Sequence, residues 1–372
     1  MKIIAFYLPQ FHTIPENDQW WGKGFTEWVN VKKAAPLFRG HEQPKVPLDN
    51  NYYNLLDDNI KAWQIDLAKE NGIYGFCFYH YWFNGKLMLE KPVEQYLDNK
   101  TLDLPFCLCW ANPEWTKIWA GKGSEVLISQ DYGEEFQWEA HFQYLLQFFK
   151  DDRYIKEDGK PLLVIYTPYE IPCLADMITY IRRRILEEGF PGIKLAYQYY
   201  VSEKEDSTIR PLFDYCIKFQ PIYAIREIED MSRRGTILKL LRQIDKVYHK
   251  CLGGSLTDKI KKVRKYDYDK LWQIILSSTV KNKDIPCAFV NWDNTPRRGR
   301  AGKVSVGATP EKFAKYMKQL IAKAKNEYKT DYVFVTAWNE WSEGSYLEPD
   351  EVNGKAYLNA VKKAQQISEK MV

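Results

Sequence analysis

Asn59–Trp82, NIKAWQIDLAKENGIYGFCFYHYW, holds one complete structural repeat. Its first half, Asn59–Asn71, carries an amphipathic helical pattern, and Asn71-Gly72 is a helix stop. Ile73–Tyr79 follows as a short run of apolar and aromatic residues, the mark of a buried strand. The strand then delivers Tyr79-His80-Tyr81-Trp82, a cluster with both flat rings and hydrogen-bonding edges. A helix, a stop, a buried strand and a polar-aromatic exit make up the unit of a parallel sheet with crossover helices.

The same unit recurs in both directions along the chain. Ile3–Leu8, Pro105–Trp110, Leu162–Tyr166, Lys194–Tyr199, Tyr215–Phe219, Cys287–Trp292 and Tyr332–Trp338 are the other candidate strands, giving eight. Phe136–Phe149, Ala175–Glu188 and Pro310–Tyr328 are helix patterns between them, the last opened by a Thr309-Pro310-Glu311 cap. Eight alternations predict an α/β fold, a single closed (β/α)8 TIM-type barrel spanning residues 1–372. A dinucleotide-binding sheet is excluded, because Pro9-Gln10-Phe11-His12 after the first strand is no glycine-rich turn. Two departures interrupt the repeat: a Pro- and Asn-rich loop at 9–58, and a Lys/Arg-rich, mostly helical insertion at 222–285 between strands six and seven.

Composition narrows the function. A net charge of +4 over 372 residues gives no concentrated basic footprint for nucleic acid. Thirteen Trp, 26 Tyr and 18 Phe are many, and much of this aromatic content sits in polar company, as in Trp20-Trp21 and Asn291-Trp292-Asp293. Flat rings beside hydrogen-bonding groups suit sugars, whose C–H faces stack while their hydroxyls seek partners. No run reaches the ~20 apolar residues of a membrane span. No signal peptide is evident after Met1-Lys2, and seven irregularly spaced Cys fit a reducing compartment, so a cytoplasmic location is expected. Cys107-Leu108-Cys109 is expected to pack inside the barrel rather than to bind metal.

In such a barrel the active site lies at the C-terminal ends of the strands. Tyr7 and Gln10 follow strand one, with Glu27 and Trp28 in the long loop. Tyr79, His80 and Trp82 close strand two, and Trp110, Asn112 and Trp115 follow strand three as an expected pocket wall. Tyr166 ends strand four, Gln198 and Tyr200 strand five, and Gln220 strand six. Strand seven delivers Asn291, Trp292 and Asp293, then Arg297; Asp293 and Arg297 either bind an acidic or heavily hydroxylated sugar or pair with each other. Strand eight delivers Trp338-Asn339-Glu340-Trp341-Ser342-Glu343-Gly344. The expected ligand is an oligosaccharide or polysaccharide.

Glu340 and Glu343 are the candidate catalytic carboxylates. Cleaving a glycosidic bond takes one carboxyl to protonate the leaving oxygen and a second at the anomeric side. Three residues apart on the turn leaving a strand, both can face one cavity, and Trp338 and Trp341 beside them would desolvate one and raise its pKa. His12, His41 and His80 have no metal-ligand spacing, so no metal and no cofactor are expected; His80 is expected to bond a sugar hydroxyl and His41 to fix the first loop. Asp267-Tyr268-Asp269 precedes a helical pattern and reads as a cap, not a metal site.

Five blocks, Tyr7-Leu-Pro-Gln-Phe-His12, Gly24-Phe-Thr-Glu-Trp28, Tyr79-His-Tyr-Trp-Phe83, Cys109-Trp-Ala-Asn112 and Trp338-Asn-Glu-Trp-Ser-Glu-Gly344, resemble the bacterial WbsX-type proteins of polysaccharide biosynthesis, relatives of glycoside hydrolase family 99. The resemblance covers nearly the whole chain apart from much of the insertion. It implies a (β/α)8 barrel and retaining, endo-acting cleavage of an α-glycosidic, α-mannoside-like bond without metal. It also implies Glu343 as acid/base and Glu340 as base on the neighbouring 2-hydroxyl. One alternative is a glycosyltransferase of O-antigen or capsular polysaccharide synthesis, and another is a non-catalytic glycan-binding barrel. Arg233-Arg234, Lys261-Lys262 and Arg264-Lys265 in the insertion would suit weak attachment to an anionic membrane surface, with a solvated helix face as the plainer reading.

Overall fold

A computed structural model describes residues 1–117, 125–199, 203–231 and 262–369. Parallel strands covered on both faces must be apolar almost throughout, and the barrel strands have that character. They are β1 (Lys2–Tyr7), β2 (Gly75–Phe83), β3 (Phe106–Trp110), β4 (Lys160–Ile165), β5 (Lys194–Tyr199), β6 (Tyr215–Lys218), a two-part β7 (Asp284–Ile285 and Cys287–Phe289) and β8 (Tyr332–Thr336). Neighbours pair in parallel from β1 through β6, and β8 returns to β1 through Lys2↔Tyr332 and Ala5↔Val335.

Closure falls at β7. Its first part pairs with β6 and its second with β8, and Pro286 alone separates them. Proline cannot donate to a ladder, so the strand breaks there. Its carbonyl still accepts from Phe334 N at 3.0 Å, which keeps the ring of strands continuous. Helices Asp58–Glu70, Lys91–Asp98, Glu135–Phe149, Leu174–Glu187, Tyr268–Ser277, Pro310–Lys323 and Ala356–Glu369 surround it. The fold is the expected TIM-type barrel.

Three local differences bear on the site. β2 runs to Phe83 instead of stopping at Tyr79, because its end pairs antiparallel with Lys86–Met88, Tyr81 opposite Met88. The loop at 9–58 holds two short helices, Pro15–Trp21 and Glu27–Lys33. Within the insertion, Ile222–Met231 is helical, and Arg264–Asp267 pairs with Lys303–Val306 outside the barrel. Tyr268–Ser277 is a helix capped by Asp267, whose Oδ1 accepts from Lys270 N at 2.8 Å. Tyr200, Arg233, Arg234 and Lys261 lie outside the described residues.

Candidate active site

The chain leaves β8 in a tight fold that brings it back beside β1. Trp338 N donates to Phe6 O at 2.7 Å, and Asn339–Glu340 pairs antiparallel with Ser345–Tyr346. Asn339 grips Leu8 with both side-chain atoms, Oδ1 accepting from its N–H at 2.7 Å and Nδ2 donating to its carbonyl at 3.0 Å. Trp341–Glu343 makes one turn of 3-10 helix, ended by Gly344 in the left-handed region at φ +61°. A Cβ there would lie 2.9 Å from Asp293 Cβ, so glycine lets the β7 and β8 loops touch. Asp293 N donates to Glu343 O across that contact.

On this turn the outer residues, Glu340 and Glu343, converge on one side chain from the β7 loop. Arg297 Nη1 donates to Glu343 Oε1 at 2.8 Å, and its Nη2 lies 3.5 Å from Glu340 Oε2. Its Nε reaches Glu27 Oε2 at 3.2 Å. Burial alone would lower the pKa of this guanidinium, but the three carboxylates hold it charged. One positive charge faces three acids, so the acids compete. Burial, then the charge of Glu343, pushes the Glu340 carboxyl up to about 8, with Arg297 pulling the other way. A carboxyl held protonated at neutrality beside an ion-paired partner is the starting state of acid/base chemistry.

The aromatic wall comes from β2. Alternation along the strand turns Tyr79 and Tyr81 inward, where both are influenced by the charge of Glu340. Tyr79 stacks on Phe6 at 5.7 Å and meets Tyr166 edge-on at 6.1 Å. Tyr81 meets Trp115 at 5.1 Å, and Trp115 meets Trp20 at 5.9 Å, both indoles half-buried. Glu27, Tyr79, Trp115, Tyr166, Arg297, Glu340 and Glu343 are therefore brought to one region.

Other candidates are placed elsewhere. The parity that turns Tyr79 inward turns His80 and Trp82 outward: His80 Nε2 lies 2.9 Å from His141 Nε2, and Trp82 stacks on the His141 ring at 4.8 Å. Trp110 also faces His141, with Nε1 donating to Trp82 O. These three pack against helix Glu135–Phe149, away from Glu340 and Glu343. Tyr7 points outward too, donating to Gln64 Oε1 at 2.6 Å. Trp28 fills the wall between Phe11, Tyr53 and Trp341. Asn112 clamps the β3 and β4 loops through Thr167 N and O, and Gln220 Oε1 accepts from Ala224 N. Gln10 is half-buried, and its carbonyl accepts from Glu27 N. Asn291 Oδ1 accepts from Ser305 Oγ, while the buried Trp292 Nε1 has no partner among the described residues.

Asp293 is neither a pocket group nor the partner of Arg297. Its Oδ2 accepts from His41 Nε2 at 2.7 Å and Gln43 Nε2 at 2.6 Å, and its Oδ1 from Thr295. Leu37 N donates to His41 Nδ1, which leaves the ring proton on Nε2 for Asp293. The pair fastens the first loop to the β7 loop. His12, His41 and His80 lie in three separate environments.

A sequence model of the family described as Glycosyltransferase WbsX matches residues 3–361. The chain belongs to the WbsX glycosyltransferase family. It is 35% identical over 366 residues to the uncharacterised protein WxcX of two Xanthomonas campestris pv. campestris strains, covering 97% of this chain and 49% of that protein. The chain thus spans about half the length of the curated relatives it matches. In fold it is similar to the GH99 endo-α-mannosidase from Bacteroides thetaiotaomicron, with TM-score 0.57, 14% identity and coverage of 99% of this chain and 97% of that one. A glycoside hydrolase-like protein is similar at TM-score 0.57 and 11% identity, covering 98% and 93%.

Three residues of this WbsX chain that sequence spacing did not single out complete the region. Tyr81 was masked by ending β2 too early; carried on to Phe83, alternation would have turned it inward. Ser342 Oγ donates to Glu27 Oε2, a link between residues far apart in sequence. Glu348, in Leu347-Glu-Pro-Asp350, is 3% exposed and accepts from Trp341 Nε1 at 2.6 Å, Gln64 Nε2 at 2.7 Å and Tyr53 Oη at 2.9 Å. An acidic residue in an apolar run was its only outward sign.

Proposed function

We propose that this chain is a retaining, endo-acting enzyme of glycan metabolism that works on an α-glycosidic bond of the α-mannosidic kind, with Glu340 and Glu343 as its reacting groups. The observation that carries this reading is the convergence of both carboxyls on Arg297 from one buried turn. Because one charge of the pair is balanced, the pair retains one proton near neutrality, which is the inventory the chemistry needs.

In the first step Glu343 gives its proton to the departing glycosidic oxygen. Glu340 takes the 2-hydroxyl proton, O2 attacks C1, and a 1,2-anhydro sugar forms as the C1–oxygen bond breaks. In the second step Glu343 takes a proton from the incoming hydroxyl, whose oxygen opens the anhydro ring at C1. Glu340 then returns its proton to O2. Two inversions leave the configuration retained. Burial favours the proton on Glu340, so substrate binding has to move it to Glu343. Tyr79, Tyr81, Tyr166 and Trp115 supply stacking faces for the glycan.

The incoming hydroxyl belongs to water in a hydrolase and to a sugar in a transferase; the family description favours carrying the second reading alongside the first. A purely glycan-binding role would leave the Arg297-linked carboxyl pair without a task. We also assign residues 1–372 to one barrel unit and the activity to the cytoplasm, which the six unpaired cysteines among the described residues support. No helix among the described residues is long and apolar enough to cross a membrane.

The test incubates wild type and Glu343→Gln with α-linked oligosaccharides, with and without nucleotide sugars, and reads products by mass spectrometry. Shorter products made only by the wild type support hydrolysis. Longer products that require a nucleotide sugar replace it with transfer, and no product with any substrate overturns the enzymatic reading.

A further inference from the structure

We propose that Glu348 is a positioning residue for the reaction at Glu340 and Glu343, acting through the Trp341 indole. The proposal rests on the function assigned above to that pair.

The sequence Glu340-Trp341-Ser342-Glu343 divides into outer and inner residues. The outer two face Arg297, while the inner two point into the wall, Trp341 1% and Ser342 0% exposed. Each inner residue is tied to a buried carboxylate: Ser342 to Glu27, and Trp341 to Glu348. Glu27 also meets Arg297 and so belongs to the reacting cluster. Glu348 reaches the pair through the turn, by way of Trp341.

Glu348 is anchored on the rigid side. Gln64 Nε2, from helix Asp58–Glu70, donates to its Oε1, and Gln64 Oε1 in turn accepts from Tyr7 on β1. Tyr53 Oη, from the first loop, and Trp341 Nε1 share its Oε2. The indole cannot tilt, because its face stacks on Tyr346 at 3.8 Å and 14°. Three donors aimed at one carboxylate leave room for an acceptor only, so an amide in its place would turn an N–H toward a donor. The titratable groups facing Glu348 are Tyr7 and Tyr53, and no cation is among its partners within the described residues. Burial is what keeps Glu340 protonated, so a turn loosened at Trp341 would admit water and lower the pKa of Glu340.

The test is a carboxyl 13C NMR titration of the full-length protein labelled at glutamate, comparing wild type, Glu348→Gln and Trp341→Phe. Trp341→Phe cuts the same link while keeping a ring against Tyr346, should Glu348→Gln fail to fold. The expected result is a Glu340 midpoint lower by about one pH unit or more in the folded variants. A wild-type midpoint retained in a folded Trp341→Phe protein overturns the role, whether or not the wild type acts on a glycan. Failure of the functional reading shows separately, as an inert wild type in the oligosaccharide assay.

Discussion

Arg297 Nη1 donates to Glu343 Oε1 across 2.8 Å, and the same guanidinium is within 3.5 Å of Glu340 and Glu27. Its side chain is 10% exposed. Removing it leaves three acids crowded without the charge that pairs with them. Breaking a buried ion pair from one side costs about 3–5 kcal/mol. Arg297→Ala is therefore expected to lower Tm clearly and to remove activity, with Arg297→Lys retaining more stability than activity. Differential scanning calorimetry and kcat/KM check this. A stable, fully active Arg297→Ala protein would show that the pair does not depend on the clamp.

The Glu340 carboxyl, raised to about 8 by burial and by Glu343, sets a pH dependence of known sign. Below that pH the pair holds the proton that acid catalysis spends; above it the proton is gone. kcat/KM should fall with unit slope above pH 8. Stability follows the same group: the folded state binds a proton that the unfolded chain releases near 4.5, so this contribution is complete below 4.5 and is lost as pH rises through 8. A pH–rate profile flat to pH 10 would place the proton elsewhere.

The barrel was legible because a doubly covered parallel strand has to be apolar along its length, and eight such runs recur. The turn carrying the two proposed reacting carboxyls was legible because Glu340 and Glu343 are neighbours in sequence. Side-chain direction on β2 was not: it depended on a strand end fixed by the hairpin partner Met88, and His80 and Trp82 were drawn into the site on that account. Asp293 was misassigned for another reason. Its partners His41 and Gln43 lie 252 and 250 residues away, and no local pattern points across such a distance.

His80 and His141 form a neutral pair behind the barrel wall. Burial lowers the pKa of His80 to about 3, and burial with the neighbouring His80 lowers that of His141. Both take up protons more readily when unfolded, near 6.5. Their contribution is therefore present above pH 6.5 and is lost as pH falls from there toward 3, opposite in sign to that of Glu340. Urea midpoints between pH 7 and 4 should decline, and the decline should flatten when both histidines are replaced by phenylalanine. An unchanged acid limb in that double variant would count against the pair as its source.

Gly344 separates a strain effect from a steric one. Its left-handed φ of +61° would cost an alanine about 1–2 kcal/mol on sterics within the residue. The added Cβ would also sit 2.9 Å from Asp293 Cβ and 3.0 Å from Asp293 N, where Glu343 O now accepts a hydrogen bond. Something must give, and what gives is the spacing between the loop holding Arg297 and the turn holding Glu343. Gly189, at φ +85° with open space around it, supplies the control for strain alone. Gly189→Ala should lose stability and keep activity. Gly344→Ala should lose both, with kcat down about 100-fold, the penalty for a misplacement on the order of 1 Å. Equal activity in the two variants would mean that the contact between the β7 and β8 loops is not what aligns Glu343 with Arg297.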